Sequence, residues 1–199
     1  MIEASNNNAR RSKFVGLLRG INVGGHNKIP MSDLRSLCAD MGWEEVQSYI
    51  QSGNLVFSAA ETAARLEVQL EDSIERRFDL QISVLVRDAK EWLGYVNRNP
   101  FPEASLNEPN RVMLALSKRS PDSDAAERLR DRADKGERLA QTGEVLWIYF
   151  RGGSARSKLS PTLLGRFIGS PVTTRNWRTV LRLGELAGPR SDPGQIILD

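Results

Sequence analysis

The chain has 199 residues, of which 40% are hydrophobic and 27% are charged, a composition typical of globular proteins with a sizeable core. No apolar run approaches the roughly 20 residues of a membrane span, and residues 1–13 lack the apolar segment of a signal peptide. A single cysteine excludes an intrachain disulfide, so we expect a cytoplasmic protein without a membrane partner. Residues 1–13 are polar and Asn-rich, and we expect a disordered lead-in there.

Apolar periodicity predicts alternating strands and helices in the first half of the chain. The run at 14–18 is typical of a buried strand, and the turn at Ser52-Gly53 favours a hairpin. Asp88 is expected to cap a short helix, and residues 97–109 form the best candidate for a linker. The predicted elements before that short helix are a strand at 14–18, a helix at 31–41, strands at 46–51 and 55–57, a helix at 66–78 and a strand at 82–86.

The second half shows a similar order of predicted elements. Ser160 and Pro161 suit the N-cap and first position of a helix. Thr174 is the expected N-cap of the final helix, and residues 196–198 are a candidate edge strand. The predicted elements are a strand at 112–116, a helix at 122–133, a hairpin of 138–140 with 145–150, a helix from 161, a strand at 171–173 and a helix at 175–187.

The two halves resemble each other. Gln51–Phe57 parallels Gln141–Trp147, and the segment from Pro30 parallels the one from Pro121. We therefore predict an α+β fold of two ferredoxin-like (βαββαβ) subdomains from an internal duplication, with an extra C-terminal helix. The first would span 14–100 with a connecting helix, the second 110–187, and a tail 188–199. Chance similarity between short hairpins is the alternative.

The net charge of +3 conceals two basic segments without any acidic residue. Residues 4–32 carry five Lys or Arg, and residues 151–182 carry seven. Clustered charge of one sign raises the local concentration of anions. The alternative is that these side chains only solvate the surface.

A glycine-bearing loop within the first basic segment joins the first strand to the first helix. Gly24 and Gly25 would let backbone N–H groups approach an anion near the start of the helix, and Arg19 and Lys28 would add positive charge. The similarity to a P-loop is only partial, because His26 and Asn27 stand where Lys and Ser or Thr belong. A simple exposed turn is the alternative.

We predict that this loop, the hairpin turn and the start of the last helix meet in one basic cleft. The cleft would bind a phosphate-bearing or other anionic ligand, a nucleotide or a nucleic acid. Its predicted ligand-binding residues are Arg19, Asn22, Gly24, Gly25, Lys28, Gln51, Ser52, Asn54, Lys158, Thr174, Arg175 and Asn176.

Several chemistries find no support in the sequence. A single His and a single Cys exclude the usual His/Cys metal sites, and no cofactor is predicted. Cys38 falls on the apolar face of the first predicted helix, where we expect it to pack. An enzyme acting on a small anionic substrate and a protein–protein interaction module both remain open, as do the catalytic residues and the oligomeric state.

Three motifs, Leu17–Gly25, Tyr49–Asn54 and Thr173–Leu181, closely resemble those of a bacterial family catalogued as domain of unknown function 1697. The resemblance extends from Phe14 to Leu186. It implies an α+β fold with two ferredoxin-like subdomains, and it implies no activity. His26 stands where relatives often have a lysine, which weakens a role for it as a catalytic base.

Overall fold

The computed structural model describes residues 11–155 and 157–188. The strands are β1 (Ser12–Leu18), β2 (Glu44–Tyr49), β3 (Asn54–Ala59), β4 (Val84–Asp88), β5 (Val112–Ser117), β6 (Arg138–Thr142), β7 (Val145–Tyr149) and β8 (Val172–Asn176). The helices are α1 (Met31–Asp40), α2 (Ala63–Phe78), α3 (Ala89–Asn97), α4 (Pro102–Asn107), α5 (Ala125–Arg130), α6 (Pro161–Ile168) and α7 (Trp177–Ala187).

The strands form two four-stranded antiparallel sheets with the same topology. Their orders are β2-β3-β1-β4 and β6-β7-β5-β8, so corresponding strands occupy corresponding places. Each half follows the order βαββαβ of the ferredoxin-like fold. The predicted fold class is therefore confirmed: the protein is α+β, with a duplicated ferredoxin-like unit and α7 as the additional C-terminal helix.

The two sheets share a central apolar core. Trp92 on α3 and Val180 on α7 pack there with Val15 from the first sheet and Trp147 from the second. The indole Nε1 of Trp92 donates to the carbonyl of Val180 at 3.0 Å, which joins the two helices between the sheets. On their other faces, the first sheet is covered by α1 and α2 and the second by α5 and α6. The halves are thus packed against each other rather than merely tethered.

Two helices begin at the N-caps that the sequence predicts. The carboxylate of Asp88 accepts from the N–H of Glu91, and the hydroxyl of Ser160 accepts from the N–H of Leu163, as expected of N-caps. Cys38 is fully buried on α1, and burial raises the pKa of its thiol to about 12. The predicted packed role of this cysteine is therefore confirmed.

Two predicted elements were wrong. The linker candidate at 97–109 contains the helix α4, which Pro102 begins at its first position. The helix predicted at 122–133 is only the short α5, because its buried side chains are confined to Ala125, Ala126 and Leu129. That narrow apolar face supports fewer than two turns.

The last strand is longer than predicted, and the last helix begins later. Thr174 pairs with Ala115 and Asn176 with Met113, so both belong to β8. Asn176, and not Thr174, caps α7, since its side-chain oxygen accepts from the N–H of Thr179 at 2.9 Å. The sheet pairing therefore delays the helix by two residues.

Parts of the predicted termini lie outside the described residues. These parts are residues 1–10 of the lead-in and 189–199 of the tail, including the edge strand expected at 196–198. Strand β1 begins at Ser12, within the segment expected to precede the fold. Across residues 11–155 and 157–188, no helix is long and apolar enough to cross a membrane.

Candidate functional site

Arg175 of the second half inserts its guanidinium group into the first half. Its Nε donates to the side-chain oxygen of Asn54, at the start of β3. Its Nη2 donates to the carbonyl of Leu18 at 3.1 Å and to that of Ser52 at 3.2 Å. One side chain therefore joins β8 to the end of β1 and to the hairpin turn.

The remaining donors of Arg175 are also used within the protein. Its Nη1 donates to the hydroxyl of Thr173 at 2.7 Å and to the carbonyl of Thr174 at 2.9 Å. Nε makes one hydrogen bond and each Nη makes two, so every guanidinium N–H has an acceptor. Burial lowers the pKa of Arg175 to about 10. The geometry leaves no donor of Arg175 for a ligand, which corrects its predicted place in an open cleft.

The hairpin turn between β2 and β3 is closed by its own side chains. The Asn54 amide, fully buried, donates to the carbonyl of Tyr49 at 3.0 Å and to the hydroxyl of Ser52 at 2.9 Å. Gly53 has φ +70°, and a Cβ added there would lie 2.7 Å from the Cβ of Leu18. These contacts explain why the turn needs Ser, Gly and Asn, and they leave Asn54 without a free polar atom for a ligand.

The glycine loop is pinned to the hairpin turn by Asn22. The Asn22 amide donates to the carbonyls of Ile29 and Gln51, both at 2.9 Å, and its oxygen accepts from the N–H of Ile29 at 2.9 Å. A second asparagine, Asn27, donates to the carbonyl of Gly20 at 3.1 Å. Asn22 therefore holds the base of the loop, and its side chain is occupied in that role.

The tip of the loop projects from this base as a small hairpin. Val23 and His26 form an isolated β-bridge, with Gly24 and Gly25 between them at φ +58° and +82°. A Cβ added at Gly25 would meet no heavy atom within 4 Å among the described residues. The two glycines therefore serve an exposed turn whose backbone is open to a partner.

A protein-family model matches the part of the chain that contains this loop and this turn. The model described as "Protein of unknown function (DUF1697)" matches residues 11–147. The chain belongs to this family. The match ends before β8, so it does not include Arg175.

A solved structure shares the fold of this DUF1697 protein. It is titled "The structure of conserved bacterial protein SP0830 from Streptococcus pneumoniae" and is 25% identical in sequence. The alignment has a TM-score of 0.70 and covers 89% of this chain and 99% of the other. No curated protein matches the sequence.

The two basic segments of the DUF1697 protein meet, but their junction is closed. Arg19 Nε donates to the carbonyl of Val172 at 3.1 Å. The gap lined by Arg19, Leu85 and Thr173 has a volume of only about 10 Å³. That volume holds about one water molecule, so this gap is too small for a nucleotide.

Three other predicted ligand residues are engaged elsewhere. Lys158 forms an ion pair with Asp134 at 2.8 Å. Asn176 caps α7, and the carbonyl of Thr174 accepts from Arg175. The Lys158 ammonium, the Asn176 side-chain oxygen and the Thr174 carbonyl are therefore already paired within the protein.

An exposed surface remains around the loop tip and the hairpin turn, and we call it the loop face. Neither Arg19 nor Lys28 forms a salt bridge with any carboxylate of the described residues. The loop face consists of Arg19, Val23, Gly24, Gly25, His26, Lys28, Ile50 and Gln51.

Two apolar residues of the loop face were not predicted as site residues. Val23 is 62% exposed and Ile50 is 53% exposed. The alternation of the sequence placed Ile50 on β2, but the strand ends at Tyr49 after a bulge that shifts the register between Glu44 and Gln47. The only local signal of an exposed Ile50 in the sequence was its place directly before the polar turn that contains Gly53.

Ile50 also has a strained backbone. Its φ is +50°, in the left-handed region that β-branched residues rarely adopt. The left-handed conformation costs an L-residue about 1–2 kcal/mol. An exposed, strained isoleucine gains little from packing, and such outliers concentrate at functional sites.

Proposed function

We propose that this DUF1697 protein binds nucleic acid through the loop face. The observation that carries the proposal is the combination of two cations without carboxylate partners among the described residues, Arg19 and Lys28, with two exposed apolar side chains, Val23 and Ile50. Contacts between Asn22 and Gln51 hold the loop and the turn together, so these four side chains belong to one end of the molecule.

The two cations suit the phosphate backbone. Arg19 donates from Nε to the carbonyl of Val172, which orients the guanidinium, and among the described residues nothing accepts from its Nη groups, which would bind a phosphate. Lys28 adds a mobile point charge on the other side of the loop tip. Contacts of this kind position a protein on nucleic acid without reading its sequence.

The two apolar side chains suit contact with bases or sugars. Aliphatic side chains inserted between base steps occur in several nucleic-acid-binding proteins. Binding would then explain the strain at Ile50, whose left-handed backbone lies directly after β2 and whose side chain is 53% exposed. Stability alone would favour glycine or asparagine at this position, because both tolerate a positive φ.

The rigid base beneath the loop supports binding rather than catalysis. Asn22 and Arg175 fix the loop, the turn and β8 with saturated hydrogen bonds. A surface held in one conformation loses less entropy on binding. The gap of about 10 Å³ behind Arg19 offers no room for a small substrate, which argues against an enzyme cleft at this junction.

Fluorescence anisotropy with labelled single-stranded and duplex oligonucleotides tests the proposal. The double variant Arg19→Ala/Lys28→Ala should weaken binding and reduce the slope of log K against log[salt] by about 1.4–1.8, or ~0.7–0.9 per phosphate contact. Ile50→Ser should weaken binding with an unchanged salt slope.

The matched control is Lys90→Ala/Arg130→Ala, which removes the same charge. Lys90 follows Asp88, which pairs with Phe14 at the opposite end of β1 from Arg19, and Arg130 lies on α5. This control should retain both affinity and slope. Equal losses in the two double variants, or binding that does not depend on salt, would reject the loop face as a nucleic-acid site.

A further inference from the structure

A second feature lies at the opposite end of the second sheet. A cavity of about 420 Å³ opens between α4 and the paired strands β6 and β7. It lies beside Tyr149, which pairs with Val112 at the start of β5, whereas Val172 beside Arg19 pairs with Ser117 at the end of β5. Cavities of this volume are typical of small-molecule sites. This site is therefore separate from the loop face.

Two arginines line the cavity and are not neutralised there. Arg138 and Arg151 are both exposed, and neither forms a salt bridge with a carboxylate of residues 11–155 or 157–188. The guanidinium carbon of Arg138 lies 5.3 Å from the centre of the Phe101 ring, a cation–π distance that orients the group. The carbonyl of Arg151 accepts from Arg111 at 2.9 Å, which holds the backbone that carries the second charge.

Two aromatic rings form further walls of the same cavity. The centres of Phe101 and Tyr149 lie 6.2 Å apart, and their planes are inclined by 46°. Arg138 and Tyr149 are directly paired across β6 and β7, and both line the cavity. Flat surfaces of this kind favour a flat, polarisable ligand.

The acidic residues of the cavity do not cancel its positive charge. Glu108 accepts from the Tyr149 hydroxyl and pairs with Arg111, and the bond to Glu108 raises the pKa of Tyr149. Glu103 is the other acidic residue of the lining. Three arginines therefore face two glutamates in and behind this cavity, which leaves one positive charge for a ligand.

We infer that this cavity binds a small planar anion, whose ring lies against Tyr149 and whose acid group is held by Arg138 and Arg151. An aromatic carboxylate and a nucleoside monophosphate share this chemistry, a flat ring joined to an acid group. The inference does not depend on the proposed nucleic-acid binding, because none of its residues belongs to the loop face.

Titrations of benzoate, AMP, cyclohexanecarboxylate and inorganic phosphate, followed by protein NMR, test the inference. Benzoate or AMP should shift the resonances of the cavity residues, and the one that binds more tightly identifies the source of the ligand. Cyclohexanecarboxylate and phosphate should bind at least about tenfold more weakly, since each lacks the ring contact. Equal affinity for either of them would overturn the planar requirement.

Substitutions locate the site. Arg151→Ala and Arg138→Ala should each lower the affinity for the more tightly bound probe at least about tenfold, as expected for a lost charge-assisted hydrogen bond. Arg151→Lys should recover part of the affinity, and the exposed Arg130→Ala should leave it unchanged. Unchanged affinity in Arg151→Ala, or the absence of shifts up to about 10 mM of every probe, a limit well above a millimolar Kd, would overturn the inference.

Discussion

Arg175 donates from its Nε to the side-chain oxygen of Asn54, although 121 residues separate them. The bond joins the last strand of one ferredoxin-like half to a buried strand of the other. Since Arg175 also donates to the carbonyls of Leu18 and Ser52, it supplies hydrogen-bond partners for backbone acceptors of the other half. We interpret it as one of the residues that fix how the halves meet.

Arg175→Met should destabilise the protein by about 3 kcal/mol or more. The substitution keeps much of the side-chain volume but leaves buried acceptors without donors, each at a cost of about 1–3 kcal/mol. Urea unfolding followed by circular dichroism measures this change. The control Arg178→Met removes an exposed arginine of α7 and should change stability by less than about 0.5 kcal/mol. A similar small effect in Arg175→Met would contradict the interpretation.

The duplication supplies a matched pair of glycine substitutions. Gly53 and Gly143 occupy corresponding turns at φ +70° and +59°, so alanine costs each about 1–2 kcal/mol in backbone strain. At Gly53 the added Cβ also lies 2.7 Å from Leu18 and 2.9 Å from Ile21, whereas at Gly143 nothing lies within 4 Å.

Gly53→Ala should therefore destabilise the protein by at least about 2 kcal/mol more than Gly143→Ala, because overpacking adds to strain. Thermal and urea unfolding of the two variants measure the difference. Equal losses would mean that the first turn moves away from Leu18 at little cost. That result would contradict the tight packing of the loop base.

Much of the fold was predictable from the sequence, because its signals are local. Asp88 and Ser160 were correctly expected as helix caps, since a cap depends on residues within one turn. The partners of Arg175 were not predictable, because Leu18 lies 157 residues away and no periodicity relates them. Charge clustering indicated an anion site, yet burial decides whether an arginine binds a ligand or the protein's own carbonyls.

Ile50→Asn should stabilise the protein and weaken its proposed binding of nucleic acid. Asparagine tolerates the left-handed conformation better than a β-branched residue, and the Ile50 side chain is 53% exposed, so little packing is lost. We expect a gain of about 0.5–1 kcal/mol in the free energy of unfolding, less than the full strain because an exposed side chain still makes some contacts.

Unfolding and oligonucleotide binding, measured on the same Ile50→Asn preparation, separate the two effects. The control Val23→Asn removes an apolar side chain of the loop face at a residue without positive φ, so it should weaken binding without stabilising. A destabilised Ile50→Asn would show that the isoleucine contributes packing, and its strain would then need no functional explanation.

Glu67 on α2 should make stability depend on pH in an unusual direction. It is 7% exposed, accepts from the N–H of Val86 at 2.9 Å, and lies 3.4 Å from Arg87 and 3.7 Å from Lys118. Burial raises the pKa of Glu67 above its ordinary 4.5, and the hydrogen bond and the two cations only partly oppose this. The folded state therefore holds this proton more tightly than the unfolded state does.

A raised pKa in the folded state means that the contribution of Glu67 is fully present below its ordinary pKa of 4.5 and is lost as the pH rises through the folded pKa. Urea unfolding of the wild type and Glu67→Gln across this range should show the wild type losing stability relative to the variant as pH rises. Glu71→Gln, at a half-buried neighbour that also binds Lys118, serves as the control for lost charge. An opposite trend would mean that the ion pairs with Arg87 and Lys118 outweigh desolvation, and that this buried carboxylate stabilises the junction between the halves in its charged form.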